Sequence, residues 1–428
     1  MRDLIVDPLE NRDGMLHVGG VSAVELADRY GTPLYAIVED RIRANYRRLV
    51  RAFRERYPDT RVHYALKANT NLAVLSILRQ EGAGADCSCP AEIDLARRAG
   101  FLASDILYTG AFPSREEIAF ARDAGVMINL DSDDRLEDVA NGRAKPVLSF
   151  RVNPGPGRGK HGLVFAGPDA KFGLPLPRIL EAFREARALG FERFGIHMMT
   201  GSCVLDPSYF AEITSRLLEI AGKVAAQVGI TFEFVDIGGG LGVPYEPSEQ
   251  PLPIDRVAED VVTAFEEGCE AFSLGRPRLV LEPGRYLVCD AGVLLTRVHS
   301  VKRGAATFVG VDAGMQTLLR PALYDAYHPV LAANRLQEPD GDPVTIVGPV
   351  CENTDVLARD RTLPELREGD VVAILNAGAY GFSMSSQYNN RPRPAEVLIS
   401  GGAHEIVRER EVVADLGHRQ RVPGRLLR

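Results

Sequence analysis

Cysteine is scarce: the 428-residue chain has six, at positions 87, 89, 203, 269, 289 and 351. That is too sparse for a disulfide scaffold in a chain this long. Cys87 and Cys89 form a C-x-C, but no second Cys/His pair stands nearby at zinc-finger spacing, so they read as small buried or strand-end residues and no metal is expected. No stretch approaches the roughly 20 apolar residues of a membrane span. The N-terminus, Met1-Arg2-Asp3-Leu4, lacks the apolar core of a signal peptide, and the expectation is a cytoplasmic protein with no membrane partner. A surplus of positive charge is missing too. Lys plus Arg number 50 against 58 Asp plus Glu, a net −8 that argues against nucleic acid or an anionic membrane surface as the main partner. With 45% hydrophobic and 25% charged residues, disorder and fibrous repeats are excluded as well. The length suits two or three domains, or one α/β barrel of about 250 residues with a smaller domain beside it.

What is present is an alternation. Between about residue 60 and residue 285, short β-rich runs fall at 62–66, 84–88, 105–109, 126–130, 147–152, 194–199, 232–237 and 278–282. Amphipathic stretches such as 71–80, 91–99 and 206–228 separate most of them, the last with Leu217, Leu218, Ile220 and Ala221 at helical spacing. Eight strands alternating with helices predict an α/β fold of the (β/α)8, TIM-like barrel type, although an open doubly wound sheet would give the same alternation. From 286 onward the texture changes to strand-like runs at 293–298, 307–311, 344–347 and 371–375, broken by Gly, Pro and Asp. That predicts a C-terminal antiparallel β domain. A strand at 15–18 and a serine-capped helix over 22–30 would add the N-terminal segment to it. The Gly/Pro/Lys-rich stretch 153–173 reads as a loop over the barrel mouth.

Barrel chemistry collects at the C-terminal ends of the strands. The first strand runs into Lys67, where desolvation would lower an amine's pKa toward Schiff-base formation, while a lone strand-end lysine more often snorkels to solvent. The seventh runs into Gly238-Gly239-Gly240-Leu241-Gly242. Such a run lets backbone N–H groups cradle a phosphate, or it marks a tight turn, and it does not keep dinucleotide G-x-G-x-x-G spacing. The eighth runs into Glu282-Pro283-Gly284-Arg285. Its carboxylate could sit in an ion pair, or could face a protonated ring nitrogen while the arginine meets a phosphate. Lysine, glycine cradle and strand-end glutamate together are the three contacts that pyridoxal 5'-phosphate requires.

In these motifs, and in 64–69, 312–324, 348–355 and 378–389, the chain resembles the barrel-type (fold III) pyridoxal-phosphate decarboxylases. That family includes diaminopimelate, ornithine and arginine decarboxylases, and the likeness is greatest to the diaminopimelate branch. The resemblance covers nearly the whole chain. It implies the alanine racemase-like fold, with residues 1–37 joining the β domain, a barrel over 38–285 and the β domain over 286–428. It also implies a homodimer with active sites at the interface. Lys67 would be the Schiff-base lysine, with Asp86 near it. Gly238, Gly239, Gly240, Gly284, Arg285 and Ser202 would hold the phosphate, and Glu282 would keep the pyridine nitrogen protonated. Tyr380 would meet phosphate and substrate, as would Arg285. Cys351 and Glu352 would come from the other subunit, the cysteine placed to protonate the carbon that loses CO2.

Arg320 offers a fork for a carboxylate, Tyr324 a hydroxyl, and Glu352 an acceptor for an ammonium group. This set suits a distal amino acid centre, and the implied reaction is decarboxylation of meso-2,6-diaminopimelate to L-lysine and CO2. Two departures favour another substrate with a charged distal end, ornithine- or lysine-like or a specialised siderophore or antibiotic intermediate. The family's Cys-Glu-Ser-Gly-Asp is here Cys351-Glu352-Asn353-Thr354-Asp355, and threonine for glycine changes the backbone freedom next to the substrate. The family's ring-stacking histidine, two positions before a glycine, is here Met199, with His197 pointing the same way one pair deeper. Readings as a non-catalytic binding relative or a dinucleotide oxidoreductase are weaker. The first would not need Lys67, Glu282 and Cys351 together, and the second lacks a phosphate fingerprint near the first strand.

Overall fold

The β-rich runs become eight parallel strands: β1 Thr60–Ala65, β2 Gly84–Cys87, β3 Ile106–Tyr108, β4 Met127–Leu130, β5 Leu148–Asn153, β6 Phe194–Met198, β7 Phe232–Asp236 and β8 Arg278–Leu281. In this computed structural model, which describes residues 5–142, 144–155, 158–159, 166–167 and 169–427, each strand pairs with the next. The β8–β1 pairing (Leu279 beside Thr60) closes the sheet on itself. The predicted strands match these in order, with ends displaced by no more than two residues. Parallel strands must return through crossovers, so helices cover the outside and the strands lie between two layers of protein. Hence their nearly continuous burial.

Local chemistry starts the helices where the sequence signals them. Asn71 accepts from the Ala73 N–H (2.9 Å) ahead of helix Leu72–Gln80. Pro90 opens helix Pro90–Arg98, and Ser114 with Glu117 forms a capping box on helix Arg115–Asp123. On the outer face, Phe183 of helix Leu176–Ala188 meets Phe150, Phe194 and Phe232 edge-on, with centroids 4.9, 5.8 and 5.6 Å away. One ring thereby ties β5, β6 and β7 to the helical layer. Inside, small residues make room for large ones. A Cβ on Gly195 would lie 2.2 Å from the Phe234 ring, and one on Gly84 2.3 Å from the His63 ring.

The chain divides into two compact units. The barrel unit takes Ile42–Pro244 with Ser248–Val288, and the other takes the chain up to Arg41, Tyr245–Pro247 and Cys289 onward. The second unit holds a sheet in the order Val356–Arg361, Val344–Val347, Thr307–Val311, Gly292–Arg303, Leu34–Val38, Ala395–Ser400, Ala403–Arg408; Val371–Ile374 pairs with Gly292–Arg303 and with Val330–Ala332. Its pairings are antiparallel except Leu34–Val38 with Ala395–Ser400 and Thr307–Val311 with Val344–Val347. Leu34–Val38 is buried throughout and alternates between two cores, Leu34, Ala36 and Val38 in one and Tyr35 in the other. Helix Ala23–Tyr30, capped by Ser22, buries Leu26 and Ala27 in the first. Among the described residues no helix is long and apolar enough to cross a membrane. Of the 153–173 segment, 156, 157, 160–165 and 168 lie outside the described residues, as do residues 1–4; Arg158–Gly159 pairs with Gly201–Ser202.

Candidate active site

The C-terminal ends of the strands gather the charged residues of the barrel. Past β1 the chain turns through a 3-10 step at Leu66–Ala68, which Tyr64 steadies by donating its hydroxyl to the Asn69 carbonyl (3.0 Å). That turn presents Lys67, whose Nζ lies 2.8 Å from Oδ2 of Asp86 on β2. The lysine side chain is 48% exposed and the aspartate 1%. Of the two readings of Lys67, the exposure fits the lysine that reaches toward solvent: the turn carries the amine past the strand, and burial falls on its partner. Burial and the nearby Glu282 charge raise the Asp86 carboxyl, and the Lys67 ammonium opposes them.

Three more groups lie deeper. Glu282 follows β8, and its N–H donates to the Gly238 carbonyl (2.8 Å). Its Oε2 is 3.1 Å from His197 Nε2, and His197 Nδ1 is 3.1 Å from Asn129 Nδ2. The Glu282 carboxylate and the Asn129 amide thus hold the two ring nitrogens between them. Burial alone would push the Glu282 carboxyl up, but the His197 ring and the Lys67 ammonium outweigh it and hold the group below its usual range. Asp236, at the end of β7, accepts the Gly238 N–H at Oδ1 (2.8 Å). Burial first, then the Glu282 charge, push its carboxyl well above the normal range. Asp236 Oδ2 and Glu282 Oε1 are buried and face no N–H or O–H. A proton kept on Asp236 serves both, so one acid stays neutral while the other stays charged. Donor atoms of His197, Asp236 and Glu282 lie within 4.8 Å of one another, but these hydrogen bonds make the cluster a proton-sharing network.

Beside this network runs the glycine turn. Gly238 and Gly240 have φ of 72° and 92°, which favours glycine. A Cβ would lie 2.5 Å from the Met198 carbonyl at Gly238, 2.3 Å from the Glu282 carbonyl at Gly239 and 2.7 Å from the Gly201 carbonyl at Gly240. The ends of β6 and β8 thus close on bare backbone, as a phosphate cradle requires. Ser202 follows Gly201, and Gly284 and Arg285 follow Glu282, all in this mouth. Met199 turns its sulfur to the Gly239 N–H (3.3 Å), and Arg151 holds the Met199 carbonyl (3.1 Å). The residues fit pyridoxal phosphate: an amine on a turn, a bare-backbone cradle, and a charged buried carboxylate between them.

The remaining predicted residues belong to the other unit. Cys351 and Glu352 are exposed on a loop anchored by Asp355, whose carboxylate accepts from the Met315 and Val350 N–H groups, each 2.6 Å away. The Cys351 N–H donates to Asn389 Oδ1 (2.7 Å). Thr354 is not among the residues of positive φ, so glycine's freedom is not needed there. Arg320 opens the short helix Arg320–Tyr324 and is 5% exposed. Tyr380 sits at φ 56°, in the left-handed region that costs a tyrosine strain. Asp236, His197 and Asn129 were not in the predicted site. The signal for Asp236 was its place at the strand end beside Gly238, while Asn129 gave none.

Comparison with known proteins decides the family. The family described as pyridoxal-dependent decarboxylase, pyridoxal binding domain, matches residues 43–289. The chain belongs to the pyridoxal-dependent decarboxylases, in their diaminopimelate branch. A diaminopimelate decarboxylase of Methanothermobacter thermautotrophicus is 51% identical over 422 residues, 98% of either chain. One of Archaeoglobus fulgidus is 42% identical, covering 97% of this chain and 99% of the relative. A crystal structure of diaminopimelate decarboxylase from M. jannaschii, in co-complex with L-lysine, superposes with a TM-score of 0.89 at 34% identity, covering 98% of this chain and 99% of that one. Decarboxylases of this family take pyridoxal phosphate, which the Lys67, glycine and Glu282 arrangement accommodates.

Proposed function

We infer that this chain decarboxylates meso-2,6-diaminopimelate to L-lysine and CO2 with pyridoxal 5'-phosphate. The observation that carries the reading is the 51% identity along 98% of the chain to a diaminopimelate decarboxylase. Bound pyridoxal phosphate supplies the electron sink for the pair left when the carboxylate departs. In this reading Lys67 Nζ would hold the cofactor, and Asp86, whose Oδ2 lies 2.8 Å from that nitrogen, would orient the amine and keep its proton. Glu282, kept charged beside His197 and the protonated Asp236, would face the ring nitrogen and favour its protonated form. Gly238, Gly239, Gly240, Gly284, Ser202 and Arg285 hold the phosphate with Tyr380, and Arg285 and Tyr380 also meet the substrate. Cys351 Sγ gives the proton to the carbon that lost CO2. Arg320 takes the distal carboxylate, with Tyr324 beside it, and Glu352 takes the distal ammonium.

The reading extends to a homodimer in which Cys351 and Glu352 serve the other copy's barrel; their exposure on the isolated chain supports this. A cytoplasmic setting accords with six cysteines that are all free. Met199 meets the Gly239 N–H and Thr354 needs no positive φ, which supports the reading at both departures. The test is CO2 release by holoenzyme offered meso-diaminopimelate, ornithine, lysine and arginine separately, with Lys67→Ala expected to lose both turnover and the visible cofactor band. Turnover of meso-diaminopimelate alone is the expected result. A cofactor band with no turnover of any of the four would point to a specialised substrate instead.

A further inference from the structure

Arg320 is a buried guanidinium with unusual company. Among the described residues no side-chain carboxylate pairs with it. Its NH1 lies 2.8 Å from Nε2 of His328, which is fully buried, and its Cζ stands 4.5 Å from the centre of the Tyr245 ring. His328 Nδ1 is 2.9 Å from the Leu375 carbonyl oxygen. A carbonyl only accepts, so Nδ1 carries the proton; a guanidinium only donates, so Nε2 presents its lone pair. Both ring nitrogens are thereby assigned, and the imidazole is neutral. Tyr245 meets His328 edge-on at 5.2 Å, and its hydroxyl is 3.0 Å from Cys289 Sγ. Cys289 in turn donates to the Asn376 carbonyl at 3.2 Å, so the tyrosine is the donor to sulfur.

We propose that His328 and Tyr245 are positioning residues that aim Arg320 at the substrate's distal carboxylate without neutralising it. This rests on the reading of Arg320 given above. An aspartate or glutamate in place of His328 would hold the guanidinium as firmly but would satisfy its charge, and a substrate carboxylate would then gain little. A lone pair and a π face fix the arginine while leaving its charge and its other N–H groups for the ligand. The pair therefore sets specificity: a molecule without a distal carboxylate leaves that charge unmatched.

The test compares His328→Asn, whose amide can still donate to Leu375 but does not reach Arg320, with His328→Gln, whose carbonyl can stand where Nε2 stood. Kinetics of the holoenzyme with meso-diaminopimelate are read beside inhibition by L-lysine, which keeps the distal carboxylate, and by 1,5-diaminopentane, which lacks it. His328→Asn should raise the KM and the lysine Ki tenfold or more with kcat within threefold, and leave the diaminopentane Ki within twofold; His328→Gln should recover most of the loss. Equal damage from both variants, or equal weakening of both inhibitors, overturns the proposal. Should His328→Asn not fold, Tyr245→Leu carries the same inhibitor comparison. Arg320→Leu tests the underlying reading separately: an unchanged KM and lysine Ki there would sink the role of Arg320 itself.

Discussion

At the scale of single residues, the barrel interior holds titratable groups whose burial sets their behaviour. His63 on β1 is fully enclosed, and burial lowers its pKa from 6.5 to about 4, the Glu282 charge opposing and Arg61 and Arg278 adding to the shift. A histidine depressed in the folded state lends stability that is present above 6.5 and is lost as pH falls toward 4. Between pH 7.5 and 5 that loss comes to about 2 kcal/mol. Asp86 and Asp236, raised by burial, change stability in the opposite sense, so the measurement is a difference. Urea midpoints of the parent and of His63→Leu, taken at both pH values, should show the parent losing about 2 kcal/mol more on acidification; parallel losses would remove His63 from the account. Much of this neighbourhood was legible in the sequence. Lys67, Asp86, Gly238 and Glu282 each close or follow a β-rich run, and barrel topology sends such ends to one mouth. Asn129 and the proton on Asp236 were not, because they depend on distances between strands far apart in the chain. The half-exposed state of Lys67 accords with the snorkelling alternative, and the turn after the strand is what produces it.

At the scale of elements, the alternation of β-rich and amphipathic runs made the barrel readable, since each strand buried on both faces writes itself as an apolar block. The serine cap at Ser22 marked a helix start for a similar local reason. Leu34–Val38 escaped notice because its sheet partners, Gly292–Arg303 and Ala395–Ser400, lie more than 250 residues away. Size complementarity was hidden too: nothing local says that Gly195 must be small, yet its missing side chain is where the Phe234 ring packs. Gly195→Ala should cost about 1–3 kcal/mol by overpacking, and Phe234→Leu in the same chain should recover part of it. Thermal midpoints of the two single variants and the double variant measure the coupling. Purely additive losses would show that the ring has room to move away.

At the scale of the whole molecule, the roles assigned to Lys67 and Cys351 fall in different units of the chain, the barrel and the β-rich unit. If the site is shared between copies, a subunit lacking Lys67 can still offer Cys351 to its partner, and one lacking Cys351 can still offer Lys67. Lys67→Ala and Cys351→Ala should each be nearly inactive alone. Mixed in equal amounts and allowed to exchange subunits, they would form mixed dimers as half of the population, each with one of its two sites intact, and recover about a quarter of the parental rate. The recovered rate should fall on dilution as dimers separate, in step with the mass seen by sedimentation. If every chain used its own Cys351, a mixed dimer would pair one site lacking the amine with another lacking the thiol. Mixing would then restore nothing, whatever the oligomeric state, so the experiment separates a shared site from mere dimerisation.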